Sequence, residues 1–236
     1  CLHHDLGPLG AAVNKAAIIR QIRLMKDMGV DAIRTSHNMP SQMQMQVCDS
    51  MGMMVMAESF DAWKEPKVKN GYNLFYDQWW RKDLENLIRG HRNHPSIVMW
   101  SIGNEIPEQW NKEGAQRAKD MTDYCHQLDN TRPVTCGGDN PKANTECGFY
   151  AALDVPGFNY RVNLYDELIS KQPQGFILGS ETTSTVSSRG VYKFPIKEKK
   201  MATYDDGQCS SYDVECCGWS NLPDDDPVSY THLTLP

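Results

Sequence analysis

Short apolar runs alternate with amphipathic stretches along most of this chain, and that alternation predicts its architecture. Residues 12–28 carry Ile18, Ile22 and Met25 on one helical face, with Gly29 placed as the stop. Residues 30–34 then read as a strand that ends in Thr35-Ser36-His37. A Met-rich helix follows Pro40 and stops near Gly52, leading into a strand over 53–57. The clearest helix spans 77–90, where Trp80, Leu84, Leu87 and Ile88 make an apolar stripe and Arg81, Lys82 and Glu85 lie off it. A strand at 97–102, a helix over 112–128 and a strand at 133–136 come next. A further strand ends at Phe158-Asn159-Tyr160, a helix covers 163–171, and a last strand at 176–179 runs into Ser180-Glu181.

Strands that alternate with helices in this way predict repeated βα units and a parallel sheet. Counting an incomplete start at Cys1-Leu2 gives seven strands, and no eighth follows. The expected fold class is therefore α/β, a (β/α)8 barrel that lacks its closing strand. Residues 182–226, rich in Ser, Asp and Gly, read as a long loop after a barrel strand. Residues 227–236 are set apart: from Val228 on they read as translated adapter read-through and not as native chain.

Composition narrows the class. A length of 236 residues is close to the roughly 250 of a single α/β barrel. With 40% hydrophobic and 23% charged residues the chain reads as an ordinary globular protein. Its net charge of −6 offers no basic footprint for nucleic acid and no polybasic membrane anchor. No apolar run approaches the ~20 residues of a membrane span. The start at Cys1, without an initiator Met or an apolar leader, is expected of a mature chain or a fragment. Cysteines 1, 48, 125, 136, 147, 209, 216 and 217 have no CxxC spacing, so buried or incidental thiols are expected and a zinc site is not.

The candidate chemistry lies where strands end. In a barrel of parallel strands, reacting groups are delivered at the C-terminal ends. Asn104-Glu105 closes one apolar run and Glu181 closes another, roughly three βα units on. An isolated Glu is more often a surface acid or an ion-pair partner. Two at strand ends in matching register can instead face each other across the barrel mouth, and at ~5–5.5 Å they suit a retaining glycosidase. His3-His4-Asp5 could suggest a metal site, but neighbours on a strand point to opposite faces and a barrel site would more naturally use His-x-His, so none is expected there. Trp80 and Trp100 are expected in the core, whereas Trp63 and Trp110, in loops after strands, are the candidates for stacking against an aglycone. The Met43/Met45 and 51–56 methionines are expected to pack helices and strands. The run Lys197-Glu198-Lys199-Lys200 is expected to be a solvated face.

Two long stretches carry a family resemblance. One is Asp31-Ala32-Ile33-Arg34-Thr35-Ser36-His37, continued by Asp49-Ser50-Met51-Gly52-Met53-Met54-Val55-Met56. The other runs from Arg92 through His94-Pro95-Ser96-Ile97 to Gly103-Asn104-Glu105. Over 1–226 the chain resembles the catalytic TIM barrel of glycoside hydrolase family 2, nearest its β-galactosidase branch. The resemblance implies Glu105 as acid/base, Glu181 as nucleophile, Asn104 on the sugar 2-hydroxyl and Tyr160 supporting the nucleophile. It also implies His37 and His3 along the sugar subsite and Arg34 near the nucleophile. Some members hold magnesium through a Glu-x-His after the third strand. Glu58-Ser59-Phe60 lacks that pair, so no metal and no organic cofactor are expected, and Glu58 and Asp61 are left as substrate contacts.

The function implied is hydrolysis of terminal β-D-galactosides with retention, through a covalent glycosyl-enzyme. β-Glucuronidase or β-mannosidase activity is the alternative within the family. A catalytically silent carbohydrate-binding barrel and a metal-dependent hydrolase are the alternatives from other classes. The substrate partner is a β-galactoside oligosaccharide or glycoside, with no nucleic acid and no membrane. The family's β-sandwich domains are expected to be missing, and a barrel open at both edges predicts poor solubility and little activity in isolation.

Overall fold

A computed structural model of the chain describes residues 6–161 and 164–182. Six strands lie side by side and parallel, in chain order: β1 (Ala32–Arg34), β2 (Met54–Glu58), β3 (Ile97–Asn104), β4 (Val134–Gly138), β5 (Val155–Asn159) and β6 (Leu178–Glu181). α1 (Lys15–Asp27) precedes β1, and α2 (Gln42–Met51), α3 (Tyr76–His91), α4 (Lys112–Leu128), α5 (Pro141–Cys147) and α6 (Tyr165–Ile169) fill the connections. This is the βα repeat read from the sequence. The strand expected at Cys1-Leu2, the charged run at 197–200, Trp219 and the tail at 227–236 lie outside the described residues. Among the described residues no helix is long and apolar enough to cross a membrane.

Local sequence explains where helices start and stop. The side chains of Asn14, Ser41 and Asn111 accept from the N–H groups of Ala17, Gln44 and Gly114 at 3.0, 3.1 and 2.8 Å, capping α1, α2 and α4. α2 ends at Gly52, whose φ of 67° closes the helix in a left-handed conformation. On α3 the expected stripe of Trp80, Leu84, Leu87 and Ile88 is buried. Full burial of each aliphatic side chain there contributes about 1.5–3 kcal/mol. α5 was not expected: at seven residues it is too short to show a helical period, although Asn140 before Pro141 and Gly148 after Cys147 mark its ends.

The sheet is curled. Laid flat, β1 and β6 would be separated by five strand spacings, roughly 24 Å. Arg34 at the end of β1 nevertheless donates to Glu181 at the end of β6 at 2.8 Å. The six strands thus wrap most of the way around a barrel, with helices outside. The apolar core sits between helices and strands, joining Ile22, Met45, Leu84, Leu87, Ile102 and Met121. Inside the barrel, toward the strand C-termini, the filling is polar instead: Arg34, Glu58, Ser101, Asn104 and Asn159 are all buried there. Pairing slips between Ser101 and Asn104 on β3 and between Phe158 and Asn159 on β5, two irregularities that re-aim the strand ends.

Candidate active site

Arg34, the last residue of β1, organises the strand ends. Its Nε donates to Glu58 Oε2 at 2.7 Å, Nη1 to Glu181 Oε1 at 2.8 Å and Nη2 to Asn104 Oδ1 at 2.9 Å. Burial works against the guanidinium charge, but Glu58 and Glu181 more than offset it, so Arg34 is held cationic. Space for this crossing comes from β4: a Cβ on Gly137 would stand 2.9 Å from Arg34 Nη2 and 2.8 Å from Asn159 Oδ1. A larger residue there would push the guanidinium aside.

Glu58, at the end of β2, is completely buried. It accepts from Arg34, from Ser101 Oγ at 2.5 Å and faces His37 Nδ1 at 2.6 Å. A substrate could not reach it, so the expectation of a sugar contact gives way to a supporting role. Breaking such a buried pair from one side generally costs about 3–5 kcal/mol, because the remaining charge is stranded. His37, about a third exposed, points its Nε2 to 3.6 Å from Glu181 Oε1.

Glu105 and Glu181 come together from β3 and β6 in opposite settings. Glu181 Oε1 accepts from Arg34, and Oε2 accepts from the Tyr160 hydroxyl at 2.6 Å. Each oxygen thus meets a strong donor, one of them cationic, as suits an anionic carboxylate. Tyr160 is fixed in turn, its N–H donating to the Glu181 carbonyl at 2.5 Å. Burial and the carboxylate beside it push the Tyr160 hydroxyl far above the usual phenol range, keeping it a donor. Among the described residues Glu105 has no such cation in contact. Its Oε1 accepts from Asn159 Nδ2 at 2.9 Å, while burial and the negative charges of Asp139 and Glu181 push its carboxyl above the usual glutamate range. Glu181 is thus gripped by two donors, one of them cationic, while Glu105 is pushed toward its protonated form, a contrast of surroundings that suits a nucleophile and an acid.

The backbone is bent to present them. Glu105, immediately beyond β3, has φ 42°, and Tyr160 and Arg161, the first two residues beyond β5, have φ 57° and 55°. A left-handed non-glycine residue costs of order 1–3 kcal/mol and persists only where its surroundings hold it. For Glu105 one such hold is its N–H, which donates to the Gly137 carbonyl at 2.7 Å.

Asn104 is oriented from three sides. Its Oδ1 accepts from Arg34 and from Asn159 Nδ2 at 2.9 Å, and its Nδ2 donates to Asp61 Oδ1 at 3.2 Å. Ser180 Oγ donates to Asn159 Oδ1 at 2.7 Å, which turns the Asn159 amide toward Glu105. The structure thus brings together Arg34, His37, Asn104, Glu105, Tyr160 and Glu181 from the sequence reading, whereas His3 lies outside the described residues. Asn159, Ser101 and Ser180 were not singled out, yet Asn159 ends its strand as a polar residue just as Asn104 does.

Trp63 does not face the barrel mouth as its loop position suggests. It is wholly buried, and its indole N–H donates to the Ile102 carbonyl at 2.7 Å, so it cannot stack on an aglycone. The slot exists because residue 103 is glycine: a Cβ there would lie 2.9 Å from Trp63 Nε1. Trp110 remains 56% exposed. A cavity of about 340 Å³ is lined by His37, Met39, Phe60, Asp61, Lys67 and Tyr72 among others, and of these His37 also approaches Glu181. Among the described residues no cluster of three or more His, Cys, Asp or Glu could hold a metal ion.

Comparison with known proteins bears on the family and the fold. The family model described as glycosyl hydrolases family 2, TIM barrel domain, matches residues 2–212. The β-galactosidase BoGH2A of Bacteroides ovatus is 36% identical over 226 residues, spanning 83% of this chain and 27% of that protein. A crystal structure of a glycosyl hydrolase family 2 member from Bacteroides cellulosilyticus superposes with a TM-score of 0.71 at 39% identity, covering 78% of this chain and 24% of that one. Bacteroides uniformis β-glucuronidase 2, solved covalently bound to cyclophellitol-6-carboxylate aziridine, gives a TM-score of 0.56 at 28% identity over 67% of this chain and 20% of its own. The chain therefore spans about a quarter of the length of these relatives.

Proposed function

Because the chain belongs to glycoside hydrolase family 2 and carries its TIM barrel domain, we propose that it supplies the catalytic centre of a retaining β-glycosidase acting on terminal β-D-galactosides. The observation that carries this reading is the opposed setting of the two strand-end carboxyls. Glu181 is gripped by Arg34 and Tyr160, while Glu105 is buried and pushed toward its protonated form. In the first step Glu181 attacks the anomeric carbon as Glu105 gives its proton to the glycosidic oxygen. The C–O bond breaks, the aglycone leaves as an alcohol, and the sugar is left as an ester on Glu181. In the second step Glu105, now ionised, takes a proton from water, which displaces Glu181 and frees the sugar with its original configuration. Asn104, whose Nδ2 donates to Asp61 Oδ1 at 3.2 Å, is the group proposed to bind the 2-hydroxyl. Water is the only co-substrate that these steps require.

The galactoside assignment is supported by the Bacteroides ovatus relative, and the Bacteroides uniformis neighbour supports β-glucuronides as the second reading. The whole protein would add the β-sandwich domains of its family. A panel of nitrophenyl β-galactoside, β-glucuronide, β-mannoside and β-glucoside, assayed on the complete reading frame containing this chain, tests the assignment. Turnover of the galactoside at least about tenfold above the others is expected. A preference for the glucuronide would move the assignment to the second reading, and turnover of none would favour a silent carbohydrate-binding barrel.

A further inference from the structure

The last pairing of β3 with β2 sets Glu58 opposite Ser101. Beyond it, two side chains from the segment between β2 and α3 act as donors to β3 carbonyls. Trp63 Nε1 donates to the Ile102 carbonyl at 2.7 Å and Lys67 Nζ to the Asn104 carbonyl at 2.9 Å. The Asn104 carbonyl is one end of the peptide plane that leads into Glu105. The other end of that plane is the Glu105 N–H, held on the Gly137 carbonyl at 2.7 Å. With both ends held, the plane fixes the reference from which the Glu105 φ of 42° is turned. Lys67 is itself steered by Asp61 Oδ1 at 2.8 Å, and the same oxygen accepts from Asn104 Nδ2 at 3.2 Å. Lysine, aspartate and asparagine thus form a closed triangle around this one peptide.

We propose that Lys67 is a positioning residue: by clamping the peptide that precedes Glu105, it fixes the direction in which the Glu105 carboxyl is presented to the glycosidic oxygen. The proposal rests on the acid/base reading of Glu105. The clamp also has an electrostatic face. Among the described residues the groups around Glu105 include Asn159 from β5, Tyr160 beyond it, Asp139 beyond β4, Glu181 on β6 and Lys67 from the β2 side. Burial, Asp139 and Glu181 raise the Glu105 carboxyl, while Asn159 and Lys67 act the other way. Removing the ammonium therefore raises it further, and the freed Asp61 carboxylate acts in the same direction.

The test compares Lys67→Met, which keeps length but loses the ammonium, with Lys67→Arg, which can restore it. The first readout needs no catalysis: hydrogen exchange of the Glu105 amide in the full chain, followed by NMR. Exchange about tenfold faster in Lys67→Met, with recovery in Lys67→Arg, is expected; unchanged protection overturns the clamp. The second readout is kinetic, in the complete enzyme. Lys67→Met should lower kcat at least about tenfold more for an alkyl galactoside than for the dinitrophenyl galactoside, with KM within about twofold. The alkaline limb of its pH profile should move to higher pH. A uniform loss on both substrates with an unmoved limb marks a merely structural residue and overturns the proposal. If Glu105→Gln shows no dependence on the leaving group, it is the acid/base reading that fails, and the exchange comparison still decides the clamp.

Discussion

Replacing Glu181 with alanine is expected to lower turnover on every glycoside by roughly 10⁴-fold or more, in line with the loss of a covalent nucleophile elsewhere. The loss should not depend on the leaving group, because no substrate escapes the need for attack at the anomeric carbon. Arg34 keeps Glu58 and Asn104 as partners in this variant, so the strand ends should hold together. Circular dichroism superposable on the parent spectrum would check that. The cavity left by the carboxylate opens a route for a small anion. Azide should then restore turnover of an activated β-galactoside and give the α-galactosyl azide, since attack comes from the face that Glu181 occupied. A β-linked azide, or full activity without rescue, would remove Glu181 from the reaction.

Glu105→Gln should behave differently. Proton donation is worth on the order of 10²–10⁴-fold. That factor should be lost on alkyl glycosides, whose leaving alkoxide needs the proton, and largely retained for the first step on dinitrophenyl glycosides. Without a base to activate water, the glycosyl-enzyme should accumulate, giving a burst of dinitrophenol followed by a slow steady state. The alkaline limb of the pH profile should vanish with the carboxyl that causes it. The parent limb should lie above the ordinary glutamate range, because burial, Asp139 and Glu181 all oppose ionisation of Glu105. Equal losses on both substrate types would contradict the role.

The sequence pattern placed every described strand but stopped short of where most of them end. The run expected at 97–102 continues to Asn104, and that expected at 176–179 begins and ends two residues later, at Leu178–Glu181. The reason is physical. Apolar periodicity reports the part of a strand that faces helices, whereas the last residues turn polar side chains into the barrel mouth. The same polar ends betrayed Glu105 and Glu181. What stayed hidden depends on contacts distant in sequence. Lys67 reaches Asn104, Glu58 meets Arg34 and Asn159 spans Asn104 and Glu105 only once the strands have assembled side by side. Trp63 was misread for a related reason: its loop position suggested exposure, but Gly103 leaves a slot that takes the indole. α5 was missed because seven residues carry too little periodicity to be seen.

Retaining hydrolysis at this site requires a covalent bond between the sugar and one side chain, Glu181. A 2-deoxy-2-fluoro-β-galactoside with a dinitrophenyl leaving group should inactivate the complete enzyme stoichiometrically, since the fluorine slows hydrolysis of the ester more than its formation. Peptide mass spectrometry should then place the fluorosugar on Glu181 and on no other residue. Time-dependent inactivation with the label elsewhere, or no label at all from an enzyme that turns over the parent galactoside, would contradict the reading of this barrel as a retaining glycosidase built on Glu105 and Glu181.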